Sequence, residues 1–207
     1  TKYSPFSRKI HHAMEFLTAE MAQYLTMVSE EQSEYFRTHY HRAPVTIPCA
    51  VDLHDRVREE DAEKVLKKYG LRKKRYFLFL GRLINEKNPD CLIEGFKKIC
   101  QNYDYKLVLA GEKDEKSAYG KKLRQATAGI EKIIFSGSVY GDEKFALLQN
   151  CGCFCLPSSM EGLPISLLEA MESGCPIICS SIPACREAVG ENALFVPPED
   201  ENALADA

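Results

Sequence analysis

From residue 54 onward, two hydrophobic rhythms alternate along the chain. Residues 54–70 are charged with helical spacing, and Gly70 is placed to stop a helix. A short apolar run follows at 76–80. Asn88 then reads as a helix cap with Pro89 in the first turn, and Leu92, Phe96 and Ile99 fall on one helical face. Strands at 106–110, 132–136, 153–156, 176–180 and 194–196 alternate with helices at 115–126, 142–149 and 164–172. A last helical start spans 201–207. Short apolar strands separated by amphipathic helices predict an α/β fold: a Rossmann-like parallel sheet with helices on both faces. Ligands of such sheets lie beyond the carboxyl ends of the strands, so residues just after strands matter most.

Residues 1–53 have a different texture. They are polar and hold four of the histidines, with His54 just beyond. A helix around 15–23 runs into a short strand at 24–28. Ser29 with Gln32 forms a capping box for a helix at 30–40, and Val45-Thr-Ile-Pro is briefly extended. The change of pattern divides the chain into 1–53 and 54–207. There is no internal repeat and no low-complexity segment.

Composition narrows the function. The 207 residues are 45% hydrophobic, enough to bury a real core. A net charge of −3 gives no basic footprint for nucleic acid. No apolar run approaches the ~18 residues needed to cross a bilayer. The chain begins with Thr1, as though a native start were missing. Nine cysteines, an odd number, do not read as a disulfide framework and fit a reducing, cytoplasmic setting. Cys151, Cys153 and Cys155 alternate as on one strand face, where they serve as small core hydrophobes and not as zinc ligands. The histidines show no metal spacing, and Glu199-Asp-Glu201 reads as a helix cap. No metal and no cofactor is expected.

Two stretches carry chemistry. In Gly81-Arg82-Leu-Ile-Asn-Glu-Lys87, Arg82 follows a strand and Lys87 precedes a helix, so the two cations can clamp a diphosphate or stand as solvated loop charges. In Ser158-Ser-Met-Glu161-Gly162-Leu163-Pro164-Ile165-Ser166, a loop after a strand opens a helix, whose unpaired N–H groups suit a phosphate. Glu161 sits in the loop mouth. Glu169 falls on the margin of the helix, where it can accept from vicinal sugar hydroxyls or simply face solvent. Leu107-Val-Leu-Ala-Gly111 and Ile133-Ile-Phe-Ser-Gly137 are strands ending in glycine, which permits close approach of backbone or ligand.

Gly81-Arg82…Lys87, Leu107-Val-Leu-Ala-Gly, Phe135-Ser-Gly and Leu156-Pro-Ser…Glu161-Gly-Leu-Pro…Leu168-Glu169-Ala-Met…Gly174-Cys-Pro together resemble the C-terminal domain of family-4 glycosyltransferases of the GT-B fold, over roughly residues 75–205. Residues 1–53 resemble the tail of the partner N-terminal, acceptor-binding domain, whose usual Asn-Gly-Val-Asp ending is here Cys49-Ala50-Val51-Asp52. The resemblance implies a retaining, metal-independent transfer from a UDP- or GDP-sugar, in polysaccharide or glycoconjugate synthesis. Arg82 and Lys87 would contact the diphosphate, Glu161 the sugar, Glu169 the ribose, and the backbone near Val139 the base. Pro164 has no N–H, so backbone donors would come from Gly162, Leu163, Ile165 or Ser166. The acceptor, a glycan or lipid-linked glycan, would use the largely absent N-terminal domain, and the chain alone is expected to turn over poorly. A non-catalytic nucleotide-binding module working with a partner chain, or another GT-B enzyme such as an epimerase, are the competing readings.

Overall fold

The computed structural model describes residues 5–112 and 114–207. They divide into two compact units, one ending at Cys49 and the other running Ala50–Ala207.

The first unit holds helix α1 (Pro5–Met21), strand β1 (Thr26–Met27), helix α2 (Glu30–Tyr40) and strand β2 (Val45–Thr46). The two strands pair in parallel, Thr26 beside Val45 and Met27 beside Thr46. Ser29 caps α2 as expected, its Oγ accepting from Gln32 N at 3.4 Å. Ser33 Oγ and Thr46 Oγ1, 2.7 Å apart, tie α2 to β2. Helix α1 begins about ten residues before the expected start. The strand expected at 24–28 keeps only two residues, because its sole partner is itself a two-residue strand.

The second unit continues with α3 (Glu59–Lys68), β3 (Tyr76–Leu80), α4 (Pro89–Ile99), β4 (Lys106–Ala110), α5 (Ala118–Thr127), β5 (Ile133–Gly137), α6 (Gly141–Asn150), β6 (Cys153–Leu156), α7 (Ile165–Glu172), β7 (Ile177–Ser180), α8 (Pro183–Val189), β8 (Leu194–Val196) and α9 (Glu201–Asp206). Its six strands are all parallel, in the order β5-β4-β3-β6-β7-β8. The chain winds from β3 to one edge, returns to β6 beside β3, and winds to the other edge. The switch point lies between β3 and β6, where ligands of open α/β sheets bind. Helices pack among themselves in two groups, α4 with α5 and α9, and α3 with α6, α7 and α8, as layers on two faces require. Leu78, Phe79, Leu107, Leu109, Phe154 and Leu156 are fully buried at the centre. Tyr76 is buried with them. Its hydroxyl donates to Leu147 O at 2.7 Å, and burial pushes the phenol well above its ordinary pKa.

Several local expectations shift for identifiable reasons. Helix α3 starts at Glu59, not 54, because the preceding backbone is committed elsewhere: His54 N donates to Glu172 Oε1 (2.9 Å) and Val57 N to Gln149 Oε1 (3.0 Å). The His54 ring stacks on Phe145 at 3.8 Å. Helix α5 starts at Ala118, where Ser117 Oγ accepts from Gly120 N at 2.9 Å. Helix α8 was not expected, although Pro183 marks its first turn. Asn88 does not cap α4 with its side chain. It adopts the left-handed conformation (φ 48°) and its Nδ2 reaches Pro157 O instead.

All nine cysteines are free, and six of them are buried. Cys151 lies just before β6, with its Sγ 3.5 Å from Cys175 Sγ. The bond with Cys175 and burial hold the Cys151 thiol far above its ordinary pKa, as suits a packing residue.

Candidate active site

Two loops leave the sheet at the switch point, and backbone hydrogen bonds stitch them together. After β3, Gly81 N donates to Ala110 O (2.9 Å) and Leu83 N to Glu112 O (3.1 Å), which presses the loop against the end of β4. The approach is close enough that a Cβ on Gly111 would lie 1.8 Å from Gly81 O, so glycine is required there for space. A single 3-10 turn, Asn85–Lys87, then leads to Asn88. Asn88 Nδ2 donates to Pro157 O at 3.0 Å, and Ser159 N donates to Glu86 O at 2.9 Å. These bonds clamp the loop after β3 to the loop after β6.

The clamp brings Lys87 and Glu161 together, 74 residues apart in sequence. Lys87 Nζ donates to both carboxylate oxygens of Glu161, with 2.6 Å to Oε2. The Glu161 side chain is 7% exposed and that of Lys87 18%, so a charge at either position needs its partner. Just beyond, Gly162 and Leu163 are half-buried and lead to α7, with Ile165 exposed and Ser166 half-buried on its first turn. Pro164 precedes this helix without an N–H, and Leu167 N donates to Pro164 O at 3.0 Å. Ile165 and Ser166 are therefore the helix-end donors best placed for an anion.

A cleft of about 290 Å³ opens beside these loops, over the ends of β3, β4 and β5. Arg82, Gly111, Glu112, Val139, Tyr140 and Lys144 contribute to its wall. Arg82 is exposed and Val139 buried. Glu169 is not in that wall. It is held by Lys144, whose Nζ donates to Glu169 Oε1 at 2.6 Å. Thus Arg82 and Val139 share one cleft, Lys87 and Glu161 form one pair, and Glu169 reaches the cleft through a lysine absent from the expected set. Neither Lys144 nor the tie made by Asn88 is marked by a strand-end position. A second cavity, about 320 Å³ and lined by Phe77, Phe96, Tyr105 and Leu204 among others, shares no residue with the cleft. Among the described residues, no three His, Cys, Asp or Glu side chains are grouped to hold a metal, and no helix is long and apolar enough to cross a membrane.

The family model for glycosyl transferases group 1 matches residues 61–207, which takes in every strand of the six-stranded sheet. The chain belongs to this family. As a group 1 glycosyl transferase it is 30% identical over 214 aligned residues to an uncharacterised glycosyltransferase of Methanocaldococcus jannaschii, covering 98% of this chain and 54% of that protein. It is also 33% identical to the phosphatidyl-myo-inositol mannosyltransferase of Mycobacterium leprae, over 63% of this chain and 35% of that one. The chain therefore spans about half or less of the length of these relatives. Among solved structures, Anabaena Alr3699/HepE in complex with UDP and glucose superposes with a TM-score of 0.84 at 20% identity, covering 99% of this chain and 56% of that chain. The sucrose-phosphate synthase of Thermosynechococcus elongatus gives 0.80 at 24% identity, over 99% and 53%. These likenesses place the fold among those of GT-B glycosyltransferases, of whose chains this one covers a little over half.

Proposed function

We propose that this chain is the donor-binding half of a retaining hexosyltransferase of family 4, which transfers a sugar from a UDP- or GDP-sugar to a glycan or lipid-linked glycan acceptor. The observation that carries this reading is the cleft over the ends of β3, β4 and β5, walled by Arg82, whose loop continues to the Lys87–Glu161 pair at the switch point. O-antigen mannosyltransferases of Salmonella typhimurium and Escherichia coli, 31% and 28% identical over about two thirds of this chain, favour a role in surface polysaccharide synthesis. In this reading residues 54–207 bind the donor, 1–53 belong to an acceptor-binding domain, and the enzyme works in the cytoplasm.

Transfer breaks the bond between the anomeric carbon and the diphosphate, and the electron pair leaves with the phosphate oxygen. The acceptor hydroxyl oxygen bonds to the same face of the sugar as its O–H bond breaks, and the proton leaves with the departing diphosphate. Arg82, Lys87 and the amino end of α7 supply positive charge for the leaving group as negative charge builds on it, the task a divalent ion performs in other transferases. Donor entry shifts Lys87 toward phosphate and frees Glu161 to accept from sugar hydroxyls. Gly162, Leu163, Ile165 and Ser166 supply backbone N–H groups, Glu169 accepts from the ribose, and the backbone near Val139 meets the base. A second reading is a non-catalytic nucleotide-sugar-binding chain that acts with a partner.

Titration of UDP, GDP and ADP, followed by NMR shifts, tests the site. One nucleoside diphosphate should bind, with shifts around residues 81–87 and 161–169. A folded chain that binds none of them at millimolar concentration overturns the assignment. Supplying an acceptor-binding domain of this family in trans separates the two readings, because only a donor-binding half of an enzyme supports transfer with it.

A further inference from the structure

Lys144 and Glu169 face each other from two helices. Lys144 is on the first turn of α6, and Glu169 is one turn into α7. Their side chains are 20% and 15% exposed, and Nζ lies 2.6 Å from Oε1. The same ammonium sits over the Phe145 ring, 4.5 Å from its centroid, which fixes it from a second side. Lys144 also forms part of the cleft wall with Arg82, Gly111 and Val139, whereas Glu169 does not. The pair therefore joins the cleft wall to the Glu169 carboxylate.

We propose that Lys144 is a positioning residue of the nucleotide site, holding the Glu169 carboxylate so that it accepts hydrogen bonds from the ribose hydroxyls of a nucleoside diphosphate. The proposal rests on the donor-site reading above. An ammonium bound to Oε1 leaves Oε2 and a second lone pair on Oε1 for the two hydroxyls. Without it, a carboxylate this enclosed turns to whatever water it can reach, and its orientation toward the cleft is lost. A pair this enclosed contributes to packing as well as to placement, so ribose preference is the readout that separates the two.

The test compares UDP with 2′,3′-dideoxy-UDP, and GDP with its dideoxy counterpart, on the wild-type chain and on K144M, K144Q, K144R, E169Q and the double variant K144M/E169Q. Wild type should prefer the ribonucleotide by roughly tenfold, as expected for a charge-assisted hydrogen bond. E169Q, K144M and K144Q should each bring that ratio close to one. K144R should restore most of it, and the double variant should lose no more than either single change. A merely structural lysine would alter stability and leave the ratio alone. If E169Q abolishes the preference and both K144M and K144Q keep it, the positioning role is wrong and the donor site stands. If wild type shows no ribose preference, or binds neither nucleotide, the ribose assignment of Glu169 falls and the role of Lys144 falls with it.

Discussion

The two ends of the proposed donor site, a diphosphate end and a nucleoside end, are built differently. At the diphosphate end, Arg82, Lys87 and Glu161 sit on loops that leave neighbouring strands, and backbone bonds between those loops hold them. At the nucleoside end, Glu169 and Lys144 sit on helices, and only side chains join them. The first arrangement adds the exposed Arg82 guanidinium to the Lys87–Glu161 pair, so one net positive charge stands where the proposed leaving group becomes anionic. The second is a neutralised pair that orients an acceptor. Charge at one end and orientation at the other is the division expected if one end stabilises a transition state and the other merely binds.

That division can be broken by substitution. The largest effect should come from Arg82→Ala and Lys87→Ala. Each removes charge-assisted bonds worth about 1.5–3 kcal/mol, so UDP affinity should fall roughly 10–100-fold while uridine affinity hardly moves. In the complete enzyme each should cost ~10²–10³ in rate. Lys87→Ala carries a second signature, because it strands a Glu161 side chain that is 7% exposed and so should lower the unfolding midpoint more than Arg82→Ala does. Equal losses for UDP and uridine would mean that the cations do not serve the phosphates.

The next effect should fall on both ends at once. Gly111 stands between them, in the cleft wall, with room for no Cβ against the Gly81 carbonyl. Backbone cannot rotate away as a side chain can, so Gly111→Ala should destabilise by about 1–3 kcal/mol as overpacking does. UDP and uridine should weaken together. Chemical denaturation with nucleotide titration checks both, and an unchanged midpoint would show that the loops after β3 and β4 yield easily.

The difference between the two ends also explains what the sequence disclosed. Strand-end glycines and a cation after a strand are local signals, so the parallel sheet and the loop positions of Arg82, Lys87 and Glu161 were readable from spacing, while their roles rest on the resemblance. Glu169 was readable only as a marginal helix position, since what defines it is Lys144, 25 residues earlier on another helix. No periodicity announces such a partner: Lys144 in Gly-Asp-Glu-Lys144-Phe looks like any solvated lysine near a helix start. Asn88 failed in a related way. Asn before Pro is a good cap signal, yet a left-handed backbone and the waiting carbonyl of Pro157 drew the side chain away. The long-range bond won over the local one because it satisfies a buried carbonyl at the end of β6. The extended loop before α3 has the same cause, with Gln149 and Glu172 taking backbone donors that a helix would otherwise use.

The smallest effect isolates the stitching at the diphosphate end. Asn88→Gly keeps a residue that tolerates φ 48° and removes only the bond to Pro157 O. It should cost about 1 kcal/mol of stability, the usual worth of one such bond together with an unsatisfied carbonyl. Asn88→Ala should cost up to about 1–2 kcal/mol more, because alanine adopts the left-handed region at a penalty. UDP affinity should drop severalfold in both variants, since Lys87 is the residue next to the lost tie, while the ribose-to-dideoxyribose preference should stay at its wild-type value. If that preference falls as well, the two ends move as one body, and the contrast between a backbone-built phosphate end and a side-chain-built nucleoside end does not extend to their mechanics.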